Sequence, residues 1–132
     1  MATGFTRKRA TKILEDTMEG CYVALSTTTP DQDGNQFSEP ASSTGYCRQS
    51  IGALDDSVTG QLANASIIFL FEALEDCGSI THVGLSDSPN RGAEIFLMAQ
   101  LDPPLTVNAG YVPLIRAHGF VVGLDKDNLT GY

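Results

Sequence analysis

Few residues in this chain have the type and spacing that chemistry needs. A nucleophile must lie within hydrogen-bond reach of a base, and the only imidazoles, His82 and His118, stand far apart in the sequence. No serine occupies a G-x-S-x-G turn. His82 lies between Thr81 and Val83 in a β-prone run, where a hydrogen-bonded structural imidazole is the commoner role, and His118 beside Gly119 reads the same way. The paired carboxylates, Asp55-Asp56 and Glu75-Asp76, are adjacent. Neighbours in a strand point to opposite faces, so these read as solvated loop charges and not as an acid–base pair.

The stretch Asp31-Gln32-Asp33-Gly34-Asn35 places oxygen-bearing side chains at alternate positions, as a calcium loop does. The glutamate such a loop requires eleven residues after its first aspartate is replaced by Ser42, so an Asx-rich turn is the expectation. Cys21, Cys47 and Cys77 form no CxxC pair, and the histidines are not spaced as zinc ligands. No Gly-rich phosphate loop precedes a helix. Accordingly no catalytic, cofactor-binding or metal-ligating residue is assigned. Tyr46, Tyr111 and Tyr132 could serve a sugar platform, but each is explained as a strand residue with its hydroxyl at a wet edge.

Charge is more informative. Eight Lys and Arg face sixteen Asp and Glu, for a net charge of −8. Half of the basic residues, Arg7, Lys8, Arg9 and Lys12, fall within the first twelve positions, where no acid occurs. The acidic remainder argues against a nucleic-acid-binding face, and no nucleic-acid partner is expected. The basic start could serve as a nucleic-acid or membrane arm, but such a run is more often the solvated face of a terminal helix or a peg for an acidic protein neighbour. Residues 1–20 lack a continuous apolar stretch, and the longest such run, Ile67–Phe71, is too short to cross a bilayer, so neither a secretory signal nor a membrane partner is expected.

Residues 5–19 carry Ala10, Ile13, Leu14, Thr17 and Met18 at helical spacing, with Gly20 as the stop. The bases precede the acids Glu15, Asp16 and Glu19, an order that opposes the helix dipole and leaves the helix dependent on packing. From Cys21 onward the chain becomes β-prone. Strands are expected over Cys21–Ser26, Gly45–Ile51, Ala65–Phe71, Ser79–Ser86 and Glu94–Leu101, the last broken by Pro103 and Pro104. Val112–Leu124 holds one or two more, with Gly119 and Gly123 as bulge or close-contact positions. Asp31–Glu39 and Asp87–Gly92 are turns, and Asp125–Tyr132 is a loose polar tail. This pattern predicts a mainly β chain, an antiparallel, jelly-roll-like β-sandwich over residues 21–132 with an N-terminal α-helical appendage over 1–20.

Four segments, in this order, resemble a family of small bacteriophage virion proteins, the phage tail fibre or minor tail proteins. They are YVALSTTTPDQDG (Tyr22–Gly34), EPASSTGYCRQSIG (Glu39–Gly52), GSITHVGLSDSPNRG (Gly78–Gly92) and LDPPLTVNAGYVPLIRAHGFVVGLD (Leu101–Asp125). They make up about half of the chain, spread in order from Tyr22 to Asp125, and the chain departs from the pattern at Cys47, Cys77 and a longer acidic stretch, Leu70–Asp76. The resemblance implies a non-catalytic structural subunit of the virion, made in the host cytoplasm and acting by protein–protein contacts. Its partners would be other virion proteins and further copies of itself; the charge pattern, not the resemblance, points to Arg7, Lys8, Arg9 and Lys12 as the partner-binding residues, docking on the acidic face of the next copy. The alternatives are a capsid decoration (cement) protein and a module for a host surface receptor or glycan. The resemblance carries no active-site signature and no cofactor.

Overall fold

A computed structural model of the protein describes residues 5–57 and 61–123. The polar tail Asp125–Tyr132 lies outside them. The chain is mainly β, with antiparallel sheets and one N-terminal helix, as its sequence predicts. It divides into two compact units. One takes the chain up to Glu19, Ile51–Ile68 and the part from Ile115 on, and the other takes Gly20–Ser50 with Phe69–Leu114.

The first unit contains α1 (Arg7–Met18), β3 (Leu54–Asp55), β4 (Gln61–Asn64) and β9 (Val121–Gly123). The strands pair antiparallel in the order β3-β4-β9, and α1 packs on β4 and β9. Ala10, Leu14 and Met18, one helical turn apart, form the buried stripe, while Ile13 and Thr17 sit at its margin. Thr6 caps the helix by accepting from the Arg9 N–H at 3.4 Å. The first turn holds no acid and the last no base, so the helix does oppose its dipole and its stability comes from the buried stripe. Fully buried Asn64 locks this unit: its side chain donates to the Ser66 and Arg116 carbonyls at 2.9 and 2.8 Å and accepts from the Phe120 N–H at 2.8 Å. Gly119 is a close-contact position, because a Cβ there would lie 2.8 Å from the Arg116 carbonyl.

The second unit holds a four-stranded antiparallel sheet, ordered β2-β1-β6-β7. Its strands are β1 (Tyr22–Ser26), β2 (Gln49–Ser50), β6 (Gly78–Ser86) and β7 (Leu97–Val107). β1 pairs along its whole length with β6, from Tyr22 opposite Ser86 to Ser26 opposite His82. Residues 82–86 are all buried, which explains why the alternation in this segment favours neither face. Val23, Leu25, Ile80, Leu85 and Val107 supply the core. β5 (Ile68–Phe69) and β8 (Leu114–Ile115) form a separate short pair.

Three expected boundaries are corrected. The strand expected over Gly45–Ile51 pairs only at Gln49–Ser50, because Tyr46 and Arg48 turn inward to a buried carboxylate. Ala65–Phe71 pairs only at Ile68–Phe69, while the short polar strands β3 and β4 carry none of the alternation that would announce them. The strand expected to end before Pro103 continues to Val107. Ile80 faces Leu105 and His82 faces Gln100, so Leu101–Pro104 bulge out opposite Thr81 alone. β7 lies at the sheet edge, where a proline without an N–H is tolerated.

Leu85 is fully buried on the inner strand β6. Leu85→Ala is expected to lower unfolding stability by about 2–5 kcal/mol, measured by urea denaturation. Leu114→Ala, at an exposed position, is expected to cost well under half of that.

Candidate functional site

The polar groups inside the second unit converge on one carboxylate. Glu39 Oε1 accepts from the Tyr46 hydroxyl at 2.6 Å and from Arg48 Nε at 2.8 Å. Its Oε2 accepts from Arg48 Nη2 at 3.2 Å and from the Gly92 N–H at 3.0 Å. Arg48 also donates to the Ser88 and Ala93 carbonyls at 3.1 and 2.9 Å. The Tyr46 oxygen accepts from the Leu25 N–H at 3.1 Å, and its ring meets Phe71 edge-on with centroids 5.6 Å apart. Arg91 donates to the Glu39 carbonyl at 2.9 Å and to the Pro40 carbonyl. The Glu39 and Arg48 side chains are 4% and 1% exposed.

Local sequence builds this cluster. Ser42–Thr44 form a 3-10 turn closed by Gly45 at φ +88°, where a Cβ would stand 2.6 Å from the Glu72 carbonyl. The tight turn returns Tyr46 and Arg48 towards Glu39. Burial pushes the Glu39 carboxyl up, but the hydrogen bonds from Arg48, Tyr46 and Gly92, with the Arg48 charge, outweigh burial and hold it below its ordinary value. Burial, and then donation to that carboxylate, push the Tyr46 phenol well above the usual tyrosine range. The wet-edge expectation for Tyr46 is therefore corrected: its hydroxyl is a buried strut. The cluster escapes sequence reading because its members lie in segments joined only by the fold. The available signal is an isolated Glu and Arg flanking a small-residue turn, E-P-A-S-S-T-G-Y-C-R, in a charge-poor chain.

The other candidates are not drawn together. His82 is buried, with Nδ1 2.9 Å from the Thr81 hydroxyl, and Thr81 donates to the Thr28 carbonyl at 2.9 Å. This is the structural imidazole the sequence suggests. His118 differs, being exposed in a left-handed turn (φ +60°) with Nε2 2.5 Å from Asp55 Oδ2. The Ser57 N–H and hydroxyl, and then His118, hold the Asp55 carboxyl below its usual range. Asp31 accepts from the Asp33 and Asn35 N–H groups, both at 2.9 Å, as an Asx turn does. Cys21 is buried, and burial with the nearby Asp87 charge pushes its thiol up, while Cys47 is exposed and Cys77 half-buried. Glu75 accepts from the Ser43 hydroxyl and Asp76 from the Ala109 N–H.

Arg7, Lys8, Arg9 and Lys12 are all exposed on the first half of α1. They stand against a marked segregation of charge. The second unit carries nine Asp and Glu against two Arg, a net charge of −7, whereas the first is close to neutral. Arg48 is buried, and Arg91 is bound to backbone carbonyls. Among the described residues every buried side-chain N or O atom has a hydrogen-bond partner.

These features define a structural class: an antiparallel β chain whose interior polar groups, a buried Glu39–Arg48 pair among them, fasten backbone segments. A family model described as "Podophage GP4 fiber I protein gp80" matches residues 15–123. The chain belongs to this family of podophage fibre proteins, and is thus a structural component of the virion. No curated protein matches the chain.

Removing Arg48 leaves the Glu39 charge buried and unpaired, so Arg48→Ala is expected to cost about 3–5 kcal/mol. The folded Glu39 carboxyl titrates below its ordinary value of 4.5. Its contribution is present above that value and is lost as pH falls through the lower folded value. Urea midpoints measured from about pH 6 down to about pH 3 should fall with acid, and Glu39→Gln should flatten that fall.

Proposed function

We propose that this chain is a fibre or tail-associated assembly subunit that acts without catalysis, through protein–protein contacts with other virion proteins and with further copies of itself. The observation that carries this reading is the charge segregation. The exposed bases of α1 (Arg7, Lys8, Arg9 and Lys12) belong to one unit, and the other unit carries a net charge of −7, with Arg48 buried and the exposed Arg91 held by backbone carbonyls. Opposite charge on two zones of one chain favours head-to-tail contact between copies, since the basic zone of each meets the acidic zone of the next. Family membership supports the assembly part of the reading, because a fibre protein of the virion acts among other virion proteins.

The contact is exposed and electrostatic, so it weakens with salt. Light scattering after size exclusion should give a mass above the 14.1 kDa monomer at about 0.05 M salt and a smaller mass at about 0.5 M. Lys8→Gln with Lys12→Gln should give the smaller mass at both. Ala10, Leu14 and Met18 remain packed in that variant, so lost assembly would report the contact and not the helix. A wild-type monomer at every salt and protein concentration would overturn the reading.

A further inference from the structure

The second unit presents an open apolar groove of about 310 Å³, lined by Leu105, Thr106, Val107, Tyr111, Val112 and Pro113. Tyr111 is 55% exposed, and Leu74, on the neighbouring segment, is 67% exposed. Large apolar side chains clustered on a surface mark an interaction site more often than scattered ones do. The groove is firmly built. The Ala73 N–H donates to the Tyr111 carbonyl at 2.9 Å, and the Gly110 N–H donates to the Ala73 carbonyl at 2.7 Å. Asp76 accepts from the Ala109 N–H at 2.8 Å. This pairing sets the stretch Glu72–Asp76 alongside Ala109–Tyr111, so exposed Glu72, Glu75 and Asp76 border the apolar surface.

A surface of apolar floor and acidic margin fits a segment that carries an aromatic residue followed by exposed bases. This chain has one. Phe5 is 45% exposed immediately before the Thr6 cap of α1, and Lys8, Arg9 and Lys12 follow it, with Lys8 and Lys12 one turn apart. We infer that the groove at Leu105–Pro113, with its Glu72–Asp76 margin, receives the Phe5–Lys12 segment of a second copy. Phe5 enters the apolar groove while Lys8, Arg9 and Lys12 face Glu72, Glu75 and Asp76. The inference rests on the assembly reading above and adds its receiving surface. The contact is heterologous, so it propagates from copy to copy and closes only if the rotation between copies permits a ring.

Two full-length variants test it. The donor-defective variant carries Phe5→Ser, Lys8→Gln and Lys12→Gln, and the receiver-defective variant carries Glu72→Gln, Leu74→Ser and Tyr111→Ser. All six side chains are exposed. Each variant alone should sediment as a monomer. Their equimolar mixture should form a 1:1 heterodimer that grows no further, since it pairs the intact receiver of one with the intact donor of the other. The heterodimer also shows that both variants are folded. A receiver-defective variant that still assembles like wild type, or a mixture that stays monomeric while wild type assembles, would overturn the groove as receiver and leave the assembly reading standing. Monomeric wild type would overturn both. So would a Phe5–Lys12 segment that protects the groove within a single copy at every protein concentration.

Discussion

A carboxylate and a guanidinium held almost entirely out of water constrain the second unit more than any apolar contact does. Glu39 and Arg48 together engage the Tyr46 hydroxyl and three backbone groups of residues 88–93, and Tyr46 reaches on to Leu25 of β1. Apolar burial is non-directional and would tolerate several placements of the Asp31–Gly45 and Asp87–Gly92 turns. A buried ion pair with its lone pairs and protons satisfied is directional: if either turn shifts, a charge is left unpaired in a medium that solvates it poorly. The cluster therefore fixes where two long connections run, and it does so with both charges hidden. Its arginine is one of only two in a unit of nine acids, so hiding it makes the unit's outer surface more uniformly negative.

The helix shows the complementary arrangement. Its charge order works against its own dipole, and the buried stripe of Ala10, Leu14 and Met18 offsets that defect. With the inner face anchored on β4 and β9, the outer face is free to carry bases unsuited to a helix start. Structure and charge thus divide the labour between two faces of a single short helix.

Much of this was legible in the sequence where one local rule dominates. Ser79–Ser86 is a strand at almost its expected bounds because β-branched residues and turn signals agree there. The helix is legible because its apolar spacing and Gly20 agree. Failures occur where a distant partner overrides the local signal. Tyr46 and Arg48 leave the pleat for Glu39, and β4 (Gln61–Asn64) is a strand mainly through its pairing with β3 and β9. The outward bases were visible as composition, whereas the groove lined by Leu105–Val107 and Tyr111–Pro113 was not, since the fold alone sets these segments around one opening.

The four-residue bulge in β7 acts on a different scale. An eleven-residue strand at a sheet edge would ordinarily offer a long row of open amide groups to any passing chain. Here Asp102, Pro103 and Pro104 interrupt that row: two of its positions have no amide hydrogen, and one bears a charge. No run of unbroken backbone remains long enough to seed stacked, fibril-like sheet growth. In a particle that crowds its proteins side by side, the interruption withholds from this edge the continuous backbone that indiscriminate strand addition requires.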